Sequence, residues 1–211
     1  KKSIELNPKN YPAYIDLGWF YISQGYYDQA KTAFEKAIEV NAKKEDGYSG
    51  LGWVYKDRKQ YSDAEIVFNK AILLNPQNNL TYSRFGKVLK EEKKYQDAVS
   101  MFDKAIQLNP NDGEAYFWLG WCYKVMNNYS KAESNFQKAL EVMPGSEHVL
   151  GGLMILYKET GKLESEHKIN SALSSSRWHY NPLTRNNYYQ LVKILNQRGI
   201  KLVCVQYPLR S

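Results

Sequence analysis

The sequence predicts an all-α protein, a solenoid of antiparallel helix pairs, carrying a short helix–strand stub of α/β character at its C-terminus. Three observations carry this expectation. Shifted against itself by 34 residues, the 211-residue chain aligns four times over, with a degraded fifth copy. Inside each block two apolar stripes recur at helical spacing. Near the C-terminus Ile200, Leu202, Val203, Cys204 and Val205 form an apolar run between Gly199 and Pro208, which reads as a buried strand.

The blocks begin at Tyr11, Glu45, Asn79, Gly113 and Glu147. Position 4 of successive blocks is Tyr14, Tyr48, Tyr82, Tyr116 and Leu150; position 7 is Leu17, Leu51, Phe85, Leu119 and Leu153. Position 8 is Gly18, Gly52, Gly86, Gly120 and then Met154, and position 11 is Tyr21, Tyr55, Leu89, Tyr123 and Tyr157. These four positions have the i, i+3, i+4, i+7 spacing of one face of a first helix. A second helix shows the same kind of stripe at positions 17, 20, 24 and 27, spaced i, i+3, i+7, i+10 and filled by Tyr, Ala, Phe and Ala in each of the first four blocks. Glycine at 8 and alanine at 20 are small where two helices would approach closely. Gly25, Asn127 and Gly161 fall at the turn between the helices and tolerate positive φ. Asn75-Pro76 and Asn109-Pro110 end each unit, because the residue before proline avoids the helical region.

This order of residues, an aromatic, L-G, Y, then A, F, A and P, resembles the tetratricopeptide repeat. The resemblance runs strongly over residues 11–146, as repeats 11–44, 45–78, 79–112 and 113–146, with Tyr where the family signature has Trp at position 4. It implies a right-handed superhelix whose first helices line a concave groove, and a scaffold that binds a protein or peptide there. Residues 3–8, SIELNP, match the closing AILLNP and AIQLNP of later blocks, so residues 1–10 read as the end of a preceding repeat. Block 147–180 departs from the pattern with Met154 at position 8 and Glu166 at position 20, and reads as a degenerate or capping repeat.

Residues 181–211 read as a helix started by Asn181-Pro182 and stopped at Gly199, followed by the strand. A helix ending in Arg-Gly that feeds an apolar strand is similar to one unit of the SGNH-type, GDSL-like hydrolases. That resemblance offers a rival function: the solenoid as targeting or substrate-presenting domain of a larger hydrolase. The opening Gly-Asp-Ser block of that family is absent from this sequence.

Composition excludes several classes. With 43% hydrophobic and 24% charged residues the chain is of ordinary globular type, and no apolar run approaches the roughly 20 residues of a membrane span. The net charge of +7 does not lie on the repeats: residues 11–180 sum to zero, while 1–10 carry +2 and 181–211 carry +5. A protein tracking phosphates would carry its basic face along its body, so nucleic acid is not an expected partner. Cys122 and Cys204 read as small buried hydrophobes rather than a disulfide. This slightly favours a cytoplasmic setting. The three histidines show no metal-ligand spacing, and no phosphate loop, G-x-S-x-G or H-E-x-x-H is present. No catalytic residue, metal or cofactor is expected in this segment.

The candidate site lies on the first helices, at positions 5, 9 and 12. Position 9 reads Trp19, Trp53, Lys87, Trp121 and Ile155; position 12 reads Ile22, Lys56, Lys90, Lys124 and Lys158; position 5 includes Phe117. With packed helices roughly 8–10 Å apart, these residues should form parallel columns, one of indoles and one of solvated ammonium groups. Such a surface suits an extended peptide with apolar anchors and acidic residues. The competing reading is that each Trp merely packs against its neighbours. Chaperone-binding members of the family hold a terminal carboxylate with Asn at position 9, which this chain lacks. Cut solenoid ends and an unpaired strand over 200–206 also point to self-association.

Overall fold

The computed structural model describes residues 7–162. The expected end of a preceding repeat in residues 1–6, the second helix of the fifth block, and the helix and strand of 181–211 lie outside the described residues.

The described chain is a run of helices whose bounds repeat every 34 residues. The first helices are α1 (Tyr11–Ser23), α3 (Glu45–Asp57), α5 (Asn79–Glu91), α7 (Gly113–Val125) and α9 (Glu147–Thr160). The second helices are α2 (Tyr27–Val40), α4 (Tyr61–Leu74), α6 (Tyr95–Leu108) and α8 (Tyr129–Val142). Each helix packs against the next in sequence, and each first helix also touches the first helix of the following repeat. Among the described residues the second helices do not meet one another in this way. Such stacking crowds the first helices onto the inner side of a solenoid.

Local signals set the helix ends. Asn10, Asp112 and Asn128 each accept from the backbone N–H three residues on, at 3.2, 2.9 and 3.3 Å, satisfying a donor the helix cannot. At the other end of each first helix the N–H at position 16 donates to the carbonyl at position 11, as in Gln60 to Tyr55 at 2.9 Å and Lys94 to Leu89 at 2.8 Å. The residue between, at position 15, is left-handed: Gly25, Lys59, Lys93, Asn127 and Gly161 have φ of 75, 59, 66, 59 and 69°. This is the Schellman closure that glycine favours. Between repeats, the Asn41, Asn75 and Asn109 carboxamide oxygens each accept from the backbone N–H two residues on, at 3.1 Å.

The core repeats with the sequence. Ala30, Ala64, Ala98 and Ala132, Phe34, Phe68, Phe102 and Phe136, and Ala37, Ala71, Ala105 and Ala139 are all fully buried. The glycines at position 8 face those phenylalanines. A Cβ on Gly18, Gly52, Gly86 or Gly120 would lie 2.5, 2.5, 2.8 or 2.8 Å from the ring of Phe34, Phe68, Phe102 or Phe136. Where position 6 is glycine it approaches the same ring from the following repeat, Gly50 on Phe34 and Gly152 on Phe136. Position 4 is less buried than its spacing suggests: Tyr82 and Leu150 are buried, but Tyr14, Tyr48 and Tyr116 keep part of their surface in solvent. The phenol ring reaches out of the interface; that of Tyr82 ends on the Pro76 carbonyl, 3.3 Å from its hydroxyl. Buried Cys122 behaves as the small hydrophobe expected, its thiol pKa pushed up to about 12 by burial.

The α1 end is unlike the other first helices. Val54, Val88, Cys122 and Leu156 at position 10 are sealed under the preceding repeat, whereas Phe20 in α1 is 57% exposed. Beside it, Asn10, Pro12, Ala13, Asp16, Leu17 and Tyr21 line an open hollow.

Candidate functional site

The inner face carries the candidate residues, and they interleave rather than standing in two columns. Lysine and arginine stems reach indoles of their own and of neighbouring first helices. The Lys56 Nζ lies 4.1 Å from the centre of the Trp53 ring. Lys87 of α5 lies between two indoles, 5.9 Å from Trp53 of α3 and 5.7 Å from Trp118 of α7. Lys90, one turn along α5, sits 4.0 Å over Trp118. Lys56, Trp53, Lys87, Trp118 and Lys90 thus form one row of alternating cations and indoles across three repeats, each contact a cation–π attraction that strengthens as water is excluded.

The ammonium groups are not freely solvated. The side chains of Lys56, Lys87 and Lys124 are only 13, 22 and 14% exposed. Lys56 pairs with Asp57 at 2.9 Å and Glu91 at 3.7 Å, Lys87 with Glu114 at 3.0 Å, and Lys124 with Glu159 at 2.6 Å. Burial pushes the Glu114 carboxyl up, but the Lys87 ammonium and the Trp118 indole N–H outweigh it and leave it below its ordinary range. Lys90 differs: among the described residues it has no carboxylate within ion-pair distance. Burial holds its ammonium below the usual lysine range, with attraction from Glu91 opposing.

The three position-9 tryptophans play unequal parts. Trp19 meets the Phe34 ring edge-on at 5.3 Å, and Trp121 meets Phe136 at 6.1 Å and Phe117 at 6.3 Å. Both indoles are shared between groove and core. Trp53 stands against no other aromatic ring among the described residues, and Lys56 and Lys87 lie over it. Phe117 is 7% exposed and touches Trp118, Trp121 and Phe136, so it supports the inner face from beneath. Lys124 lies 5.1 Å over Trp121, apart from the main row.

Two residues of this face were not singled out from the sequence, Arg84 and Trp118. Both occupy position 6, which reads Asp16, Gly50, Arg84, Trp118 and Gly152. No residue type recurs there, so an aligned column gives no signal. The signal is geometric: position 6 points back toward the preceding first helix, where Trp118 meets Lys87 and Lys90. Among the described residues no group of His, Cys, Asp and Glu is placed to hold a metal ion, and no helix is long and apolar enough to cross a membrane.

Stacked helix pairs with a patterned inner face define a helical-repeat interaction scaffold. The chain belongs to the tetratricopeptide-repeat family: models of that repeat match residues 11–44, 45–78 and 89–134. No curated protein matches the sequence. Solved structures share the fold. PilF of Pseudomonas aeruginosa is similar at a TM-score of 0.74 and 22% identity, over 90% of this chain and 86% of that one. MamA of Desulfovibrio magneticus RS-1 gives 0.67 and 19%, over 79% and 96%. YrrB, a tetratricopeptide protein described as having an unusual peptide-binding site, gives 0.61 and 26%, over 84% and 92%.

Proposed function

We propose that the inner face holds an extended segment of a partner protein that is acidic and carries apolar side chains. The row of Lys56, Trp53, Lys87, Trp118 and Lys90 is the observation that supports this. Two indoles partly open to solvent, framed by three cations, offer flat apolar contact and positive charge together. Trp53 supports it most, because core packing does not account for its position. Lys90 adds a half-buried cation that no carboxylate of the described chain neutralises. YrrB, a protein of this fold with a peptide-binding site, agrees with peptide capture.

Short peptides selected from a random displayed library, then synthesised and titrated, test the reading. Trp53→Ala should weaken the best of them by more than about tenfold, the usual effect of removing a buried indole anchor, while leaving helical content and melting temperature unchanged. Lys90→Ala should cost less and mainly at low salt. Normal binding by Trp53→Ala together with early melting would make the indole a packing residue and refute the proposal.

A further inference from the structure

Arg84 makes a contact that skips a repeat. The stack is otherwise held by neighbours: each helix packs on the next, and each first helix on the following first helix, while α1 and α5 do not pack on one another. Yet the guanidinium carbon of Arg84 in α5 lies 4.2 Å from the centre of the Trp19 ring in α1. First helices stacked roughly 8–10 Å apart put α1 and α5 two such steps from each other, too far for either side chain alone. The two meet over α3, Trp19 reaching forward from position 9 and Arg84 reaching back from position 6. Ser49 of α3 lies at the crossing: short and buried, it accepts from Arg84 Nη1 at 3.2 Å. The lysine–indole contacts, by contrast, join a first helix only to itself or to the next one.

Both ends of this contact are anchored. Trp19 meets the Phe34 ring edge-on, so the core of its own repeat holds the indole in place. Arg84 is held by Ser49 and has no carboxylate within ion-pair distance among the described residues. Burial works against its charge, and the pull of Asp46 only partly restores it. A guanidinium withdrawn from water stays only where another group favours it. The face of an indole is such a group, and its attraction grows as water is excluded. The strain of burying the charge is therefore met at Trp19, two first helices away. The helix at the far end has need of this hold. Phe20 of α1 is exposed at the position where Val54, Val88, Cys122 and Leu156 are sealed, so packing grips α1 on fewer sides than the later first helices.

We propose that Arg84 and Trp19 form a strap that ties α1 to α5 across α3, so that the first three repeats open together rather than one by one. A stack held by nearest neighbours alone lets an end repeat fray by itself. With the strap closed, α1 cannot lift from α3 without drawing the indole away from Arg84. With it open, α1 is held by α2 and α3 alone. Ser49 is a positioning residue that keeps the guanidinium at the crossing. The strap needs no bound segment and does not depend on the groove proposal; Trp53→Ala leaves it closed.

Native-state hydrogen exchange of the full chain reads the opening of α1 directly. Arg84→Met keeps the length of the stem and removes the charge. It should speed exchange of the protected α1 amides by about fivefold or more while leaving those of α9 unchanged. In a Trp19→Leu background the same substitution should change α1 exchange by less than about twofold, because the contact is already gone. Ser49→Ala gives a second readout that leaves the Trp19 packing intact. It should speed α1 exchange by less than Arg84→Met does, and should add nothing at α1 once Arg84→Met is present. Loosening by Arg84→Met that stops at α3 and α5 and leaves α1 untouched is the nearest-neighbour result and overturns the proposal. Equal effects of Arg84→Met with and without Trp19, or full additivity of Ser49→Ala and Arg84→Met at α1, overturn it as well.

Discussion

Lys93 closes α5 in a backbone conformation that suits glycine. Its φ of 66° places it in the left-handed region, where a Cβ crowds the following carbonyl at a cost of roughly 1–2 kcal/mol. Lys59 stands in the same turn of its own repeat, with a φ of 59°. Glycine there loses more chain entropy on folding, about 0.5–1 kcal/mol. Lys93→Gly should therefore stabilise the protein by up to about 1 kcal/mol, read as a higher midpoint in urea; a lower midpoint would mean the lysine side chain stabilises the turn in another way. Lys94 beside it, paired with Glu65 at 2.6 Å, is untouched by the change. Gly25, Asn127 and Gly161 announce this turn in the sequence because their residue types tolerate positive φ. Lys59 and Lys93 do not, and only the hydrogen bonds at positions 11 and 16 reveal that all five repeats turn alike. Arg84 and Trp118 were illegible for a related reason. Their role follows from which neighbouring helix they reach, and a one-dimensional alignment records recurrence within a column, not reach between columns.

At the scale of the element, each helix pair is built around a glycine set against a phenylalanine. That much was legible, since a recurring L-G on one helix and A-x-x-x-F on the next leave little choice of partner. Gly86→Leu should destabilise the array by roughly 1–3 kcal/mol, because its first side-chain carbon already meets the buried Phe102 ring. Gly151 provides the control: nothing lies within 4 Å of a Cβ there, so Gly151→Ala should stabilise α9 by about 0.5–1 kcal/mol through helix propensity alone. Thermal unfolding of the two variants distinguishes packing from propensity; an unchanged midpoint for Gly86→Leu would contradict the assigned interface. Position 4 belongs to the core only in part. A tyrosine at that spacing buries its ring and keeps its hydroxyl near water or a carbonyl, which periodicity alone does not separate from full burial.

Across the molecule, the repeats are neutral in sum but not in arrangement. Lys56, Lys87 and Lys124 are paired with carboxylates from their own or the next repeat, whereas Arg84 and Lys90 have none within ion-pair distance among the described residues. Both lie on indoles, and both belong to α5, the middle first helix. On the proposed reading a partner segment meets its strongest recognition along α5, beside Trp53, which Lys87 of that helix approaches. The measurement that tests this most directly is the set of tryptophan indole N–H signals while a selected acidic peptide is added to the nitrogen-15-labelled chain. The account predicts saturable shifts at Trp53 and Trp118, with Trp121, packed on Phe117 and Phe136, moving least. Binding that leaves Trp53 and Trp118 unmoved would place the partner elsewhere and contradict it.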